Sequence, residues 1–144
     1  MKLTIIISAG VVAAISGFLL WPVGQQTSAL DPVASAEAAP LARVSLPDNL
    51  SQNAQIGKSG FEAKCANCHG ANAAGTEGIA PPLIHKIYEP SHHADESFQR
   101  AVSLGVRAHH WPFGNMPAIE GLTRGDVTMI IAYIRELQRA NGIN

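Results

Sequence analysis

The sequence contains one short motif that can both form covalent bonds and bind a metal ion, CANCH at residues 65–69. Cysteines three positions apart share one face of a helix, so the thiols of Cys65 and Cys68 can add to the two vinyl groups of a single haem. His69 follows directly and is then placed to bind the iron, which is the arrangement of a C-x-x-C-H attachment site. The motif therefore predicts one covalently attached haem c with its iron.

Other uses of the two cysteines fit the chain less well. A disulfide between Cys65 and Cys68 does not account for His69. A thioredoxin-like redox pair needs a preceding strand and a βαβ unit, whereas the flanking residues have a helical pattern. A zinc site needs a second pair of ligands at similar spacing, and the chain has 2 cysteines in all. Haem attachment is the interpretation that uses all three residues.

An electron carrier needs a second strong iron ligand, and Met116 is the methionine best placed to supply it. Of the 3 methionines, Met1 is in the N-terminal export segment, Met129 falls in a helical pattern, and Met116 lies in the loop sequence GNMPAI. A thioether paired with an imidazole raises the reduction potential relative to two imidazoles. The alternatives are an ordinary core methionine, or ligation by His109 or His110 instead.

Trp111 lies shortly before Met116, and its aromatic ring is expected to wall the haem pocket and exclude water. Its indole N–H can also donate a hydrogen bond to a haem propionate. Simple packing of the ring is the alternative.

Histidines are unusually frequent outside the motif, at His85, His92, His93, His109 and His110. Adjacent histidines point in different directions, and no carboxylate pattern completes a second metal site. We therefore interpret these five as solvated loop residues, with a second metal site as the alternative.

Three segments have the patterning of helices that could position these residues. Residues 53–64 carry apolar and small side chains at helical spacing, and their glycines indicate that another backbone crosses closely. Residues 95–104 form a short helical pattern that ends before a glycine. Residues 123–141 begin with a capping-box pattern and continue with an apolar stripe. The stripes consist of Ile56, Gly57, Gly60 and Phe61, then Phe98, Ala101 and Val102, and then Val127, Ile130, Ile131, Ile134 and Leu137. Without a run of strands, the predicted class is all-α.

The N-terminal residues predict a membrane or export segment. Residues 3–21 carry no charge and follow Lys2. As a helix rising ~1.5 Å per residue they would span about 28 Å, close to the ~30 Å of a bilayer's hydrocarbon core. The next charge is Asp31, so the positive-inside rule places the rest of the chain outside the cytoplasm. We favour a retained anchor at residues 1–21, with a cleaved signal peptide as the alternative.

The remaining residues divide into a linker and one domain. Residues 22–50 are rich in Ala, Ser and Pro without a sustained period, and we interpret them as a flexible linker. Residues 51–144 then form the haem domain. The 10 basic and 11 acidic side chains give a net charge of -1, and the basic residues form no run, which argues against a nucleic-acid partner.

The motif and Met116, which precedes a proline, resemble a class I c-type cytochrome over residues 53–140. Residues 80–83, Ala-Pro-Pro-Leu, are similar to the Gly-Pro-x-Leu turn of that family. The resemblance implies that the carbonyl of Pro81 accepts a hydrogen bond from the ring N–H of His69, and such bonds fix the orientation of a metal-binding ring.

The same resemblance implies a fold and a function. The expected fold is a cytochrome c-like all-α domain around one covalent haem c, in which Tyr133 packs against Gly57. The expected function is transfer of single electrons between a donor and an acceptor redox protein, with no enzymatic reaction and no small-molecule substrate. The expected location is the bacterial inner membrane with the haem domain in the periplasm, or the soluble periplasm after cleavage. The alternatives are a cytochrome subunit of a dehydrogenase or oxidase complex, a haem peroxidase and a gas sensor.

Overall fold

The structure, a computed structural model, describes residues 39–144. The predicted membrane segment at residues 1–21 and the first part of the predicted linker lie outside the described residues. Within residues 39–144, no helix has the length and apolar character needed to span a membrane.

The described chain is helical, as predicted. The α-helices are α1 at Gln52–Lys64, α2 at Ala66–His69, α3 at Asp95–Leu104 and α4 at Arg124–Ala140. Short 3₁₀ turns lie at Ala71–Ala73 and Lys86–Tyr88. In place of strands, residues 39–144 contain two isolated antiparallel bridges, Thr76 with Ala80 and Val106 with Met116.

Helix α1 begins where Ser51 can cap it. The Ser51 hydroxyl accepts a hydrogen bond from the backbone N–H of Ala54 at 3.3 Å, which satisfies one of the free donors at the helix start. The buried face consists of Ala54, Gly57 and Phe61. Ile56, which we placed on this face, is 56% exposed, because the face that packs follows spacings of three and four residues from Ala54.

Helix α4 is the longest helix within residues 39–144 and has the predicted start and apolar face. Thr123 and Asp126 form a reciprocal capping box, in which each side chain accepts a backbone N–H of the other residue. All five predicted stripe residues are buried. Arg135 and Gln138 are also buried on this helix, which the apolar pattern did not predict.

Helices α1 and α4 cross with their backbones in contact. A Cβ atom on Gly57 would lie 1.8 Å from the carbonyl oxygen of Met129, so this position has room only for hydrogen. The nearest atoms to that Cβ position are backbone atoms of α4, whereas Tyr133 packs against Phe61 with ring centroids 5.7 Å apart. The close crossing of another backbone, which the glycines of this segment predicted, is thus confirmed at Gly57.

Residues 39–50 contain no helix or strand but lie against the domain. The backbone N–H groups of Leu41 and Ala42 donate to the carbonyl of Ala74 at 3.1 and 2.9 Å. Ser45 exchanges hydrogen bonds with the Asn141 side chain, and Val44 packs against the core. This segment thus differs from the predicted flexible linker, because the ordering contacts come from the domain and not from the segment's own composition.

Replacing Gly57 by alanine is expected to lower the free energy of unfolding by about 3 kcal/mol or more, because the added methyl group would force the two helix backbones apart. Gly60→Ala is the matched control, since its Cβ would meet only side-chain atoms of Ile130, at 3.1 and 3.3 Å. There the helix propensity gained, about 1 kcal/mol, offsets the tighter contact. Denaturant unfolding of the haem-loaded protein, followed by circular dichroism, measures both. Equal losses in the two variants would contradict the assigned contact.

Candidate functional site

The CANCH motif lies where α1 passes into α2. Cys65 ends α1 and donates its backbone N–H to the carbonyl of Phe61 at 2.8 Å. The following turn is helical, with the N–H of His69 donating to the carbonyl of Cys65 at 2.9 Å. The helical turn therefore brings both thiols and the imidazole to the end of α1.

A cavity of about 520 Å³ opens beside this turn. Apolar side chains of α1 and α4, including Phe61, Ile130 and Ile134, form part of its wall. All six residues that the sequence indicated as haem contacts also line it: Cys65, Cys68, His69, Pro81, Trp111 and Met116. The structure therefore brings every predicted site residue to one space.

His69 is held in a single orientation. Its side chain is buried, and its Nδ1 lies 2.9 Å from the carbonyl oxygen of Pro81. Since that carbonyl can only accept, Nδ1 carries the proton and Nε2 keeps a free lone pair. Burial lowers the pKa of His69, and the bond to Pro81 partly opposes this. The neutral ring that results is the form that binds a metal ion.

The turn that carries Pro81 is itself fixed by close backbone contacts. Thr76 and Ala80 pair directly before Pro81, and a Cβ on Gly75 would lie 2.5 Å from the backbone nitrogen of Pro82. Gly75 has a φ of +76°, a conformation that glycine adopts without strain. Ala80 is not among the residues with a positive φ, so the turn does not require glycine at that position.

The environment of the two cysteines is unsuited to thiol redox chemistry. Cys65 is half-buried and Cys68 is exposed. Burial, followed by the nearby charge of Cys68, raises the pKa of the Cys65 thiol to about 11. Catalytic redox cysteines have a lowered pKa, which supplies the reactive thiolate. The site therefore does not have the electrostatics of a thioredoxin-like pair.

Met116 is held by the backbone of its own loop. It exchanges two backbone hydrogen bonds with Val106, each 2.9 Å long. Gly105 has a φ of +74°, and a Cβ there would lie 2.6 Å from the carbonyl oxygen of Met116. Across the same loop, the Asn115 side chain accepts the N–H of Ala108 at 2.9 Å. The position of Met116 at the cavity thus depends on a glycine that the neighbouring backbone requires.

The indole of Trp111 has a donor without a partner in the part of the chain that the structure describes. Among residues 39–144, Trp111 Nε1 is the buried side-chain polar atom that makes no hydrogen bond. Its ring stacks on Phe113 at 5.8 Å and meets the edge of His85 at 5.2 Å. Burial raises the pKa of the neighbouring Tyr88, and the Trp111 indole lowers it by a smaller amount. The Trp111 indole N–H and the Tyr88 side chain nevertheless do not meet the geometry of a hydrogen bond.

An orphaned N–H on the wall of an apolar cavity favours a ligand that carries an acceptor, because an unsatisfied buried donor costs about 1–3 kcal/mol. Arg100 and Arg107 also line the cavity and provide positive charge. A flat apolar ligand with carboxylate groups, such as haem, fits this combination.

Sequence reasoning missed two groups of residues. The first is the buried pair Arg135 and Gln138. Arg135 donates to the Asp95 carboxylate and to the Tyr88 carbonyl, both at 2.8 Å, and to the Gln138 side chain at 2.6 Å. It also donates to the carbonyl of His93 at 2.5 Å. Arg135 and Gln138 stand at helical spacing from Ile131, which puts both residues on the buried face of α4. This spacing is the feature of the sequence that could have identified them.

The second group is the histidines, which we interpreted as solvated loop residues, with a second metal site as the alternative. The structure instead brings four of the five together, His92 and His93 from one turn and His109 and His110 from the loop before Trp111. Partial loss of hydration, followed by the charges of the three neighbouring imidazoles, lowers the pKa of His110. No periodicity relates the two doublets, so only the fold shows that they meet.

A helical domain that closes an apolar cavity around a C-x-x-C-H turn defines a haem protein of the c type. Residues 54–138 match the cytochrome c family, and the chain belongs to that family. Neither the curated proteins nor the solved structures include a significant match. Family membership implies covalently bound haem c with its iron, electron transfer, and redox proteins as partners.

Proposed function

We propose that this chain is a class I, monohaem cytochrome c with His69 and Met116 as axial ligands. It carries single electrons between a donor and an acceptor redox protein and catalyses no substrate reaction. The observation that supports this most strongly is the shared cavity, whose wall includes the two attachment thiols of Cys65 and Cys68, the oriented imidazole and the Met116 thioether.

Haem bound in this cavity supplies a one-electron iron couple, whose potential the axial ligands and the surrounding dielectric set. The protein's part is to hold its ligands still. The Pro81 carbonyl fixes the proton of His69 on Nδ1 and leaves Nε2 for the iron. The Val106 bridge holds the backbone of Met116. Apolar side chains exclude water, so the change in charge on electron transfer needs little rearrangement of solvent.

The proposal places the haem domain in the periplasm of a bacterium, tethered to the inner membrane by residues 1–21. The uncharged run at residues 3–21, with Lys2 as the charged side chain before it, supports this. A tether leaves the domain free to meet a donor and an acceptor in the same membrane.

Met116→Ala is expected to abolish the weak long-wavelength absorption band of thioether-ligated ferric haem and to lower the midpoint potential, because the thioether favours reduced iron. Optical spectra and a redox titration of the purified protein measure both. Absence of the band from the unmodified protein would refute Met116 ligation.

Gly105→Ala tests whether the backbone contact at Gly105 positions Met116, independently of the thioether itself. The added methyl would displace the Met116 carbonyl, so the band is expected to weaken. Gly114→Ala is the control, since its φ of +89° gives a similar backbone strain but a Cβ there meets no atom within 4 Å. A band that weakens equally in both variants would argue against this contact.

Trp111→Phe keeps an aromatic ring in the wall but removes the indole N–H. If Trp111 donates to a haem propionate, the variant is expected to have a lower midpoint potential, because the negative charge of the propionate is then less compensated near the iron. The axial-ligand spectrum should stay unchanged. An unaltered potential over the pH range of the titration would show that the ring contributes packing alone.

The anchor is tested by the mass and the location of the mature protein. A retained anchor predicts a mass that includes residues 1–29 and recovery with the membrane fraction, released by detergent but not by salt. A shortened mass with recovery in the soluble periplasmic fraction would establish the cleaved signal peptide instead.

A further inference from the structure

Two segments that close the cavity bring a cluster of imidazoles together on its rim. His92 and His93 belong to the turn after Lys86–Tyr88, and His109 and His110 to the loop before Trp111. The ring centroids of His92 and His110 are 5.5 Å apart, and those of His93 and His110 are 5.3 Å apart. The cluster is therefore formed between two segments distant in sequence.

Three of these rings are arranged as metal ligands. One ring nitrogen from each of His92, His93 and His110 lies within 4.8 Å of the others. Nitrogen ligands at about 2.0–2.1 Å from one zinc or copper ion lie roughly 3–4 Å apart. His92 and His110 are exposed, so small rotations of these two rings are enough to bring the nitrogens onto a common ion.

His93 is oriented for this role by the backbone. Its Nδ1 lies 2.6 Å from the carbonyl oxygen of Ile87, so Nδ1 carries the proton and Nε2 keeps its lone pair. Metal-binding histidines commonly donate their other ring N–H to a carbonyl in this way. His109 has a similar bond, from Nδ1 to the carbonyl of Arg107 at 2.8 Å.

The backbone under both segments is already fixed. The buried Arg135 donates to the carbonyls of Tyr88 and His93, which holds the turn that carries His92 and His93. The Val106–Met116 bridge spans the loop that carries His110. Binding a metal ion here would cost little ordering of the chain, which favours affinity.

The donor set selects the kind of metal. Imidazole nitrogens suit copper, zinc and nickel, whereas calcium and magnesium prefer oxygen ligands. Affinity for such a site generally rises along the first-row divalent ions to copper(II) and falls again at zinc.

We propose that His92, His93 and His110 form a binding site for one divalent transition-metal ion on the rim of the haem cavity, with copper(II) bound most tightly. His93 and His110 also line the cavity itself, so the bound ion lies beside the haem. This site is separate from the iron ligands and goes beyond the proposed electron-carrier function.

The direct test is a copper(II) titration of the oxidised, haem-loaded protein without an affinity tag, followed by calorimetry and electron paramagnetic resonance. We expect one copper per chain with nitrogen hyperfine structure and weaker binding of zinc(II). His92→Asn and His110→Asn should each weaken copper binding at least tenfold. Both side chains are exposed, and matching circular dichroism spectra would show that the variants fold.

The control is His85→Asn, which removes a histidine outside the cluster. His85 accepts the N–H of Ile87 at 3.2 Å, and asparagine preserves such a cap. Copper affinity should stay unchanged in this variant. Absence of stoichiometric binding, or equal affinity in His92→Asn and His85→Asn, would overturn the site.

A second measurement tests the placement beside the haem. Redox-inert zinc(II) is expected to raise the midpoint potential of the haem in the unmodified protein, because a nearby dication disfavours oxidised iron. The shift should be absent in His92→Asn. The shift in midpoint potential rests on the proposed haem function, whereas the stoichiometry and affinity of copper binding do not depend on that function. Failure to observe a haem couple refutes that function, and an unshifted couple in the zinc-loaded protein refutes the placement.

Discussion

The backbone contact between α1 and α4 at Gly57 is the constraint on which the position of the site depends. Cys65 caps the C-terminal end of helix α1, so the direction in which α1 crosses α4 decides where the C-x-x-C-H turn lies. With the backbones touching at Gly57, Phe61 reaches Tyr133 and becomes fully buried one turn further along α1. The face of α4 that packs on α1 also supplies Ile130 and Ile134 to the cavity wall. The contact between α1 and α4 therefore forms both the core and part of the cavity wall.

A second constraint is the buried charge of Arg135. Burying a guanidinium is costly unless its donors are satisfied, and here they reach the Asp95 carboxylate, the Gln138 side chain and the carbonyls of Tyr88 and His93. An apolar side chain at this position would fill the space, but it would remove the bond to the His93 carbonyl and leave the Tyr88 carbonyl with the Gln138 amide alone. Arg135 therefore connects α4 to the segment that closes the cavity and to the start of α3.

The sequence predicted correctly the features that depend only on residues close together in the chain. The C-x-x-C-H spacing and the Thr123–Asp126 capping box each involve residues within a single helical turn, so their geometry follows from the sequence alone. Features set by distant contacts could not be predicted in this way. Ile56 has the hydrophobicity of a core residue, but the register of α1 on α4 leaves it exposed. Residues 39–50 have a linker-like composition, yet the carbonyl of Ala74 and the side chain of Asn141 order them.

The contacts that keep the cavity wall rigid, as electron transfer requires, also hold the histidine cluster together. A haem pocket needs fixed walls, because movement of the ligands with each electron raises the reorganisation energy. The turn that carries His93 and the loop that carries His110 both form part of the cavity wall, and each is held by hydrogen bonds of its own. Fixing these two segments to enclose the cavity also fixes the distance between their histidines. The imidazoles thus gain the preorganisation that a metal site needs from contacts that serve the cavity first.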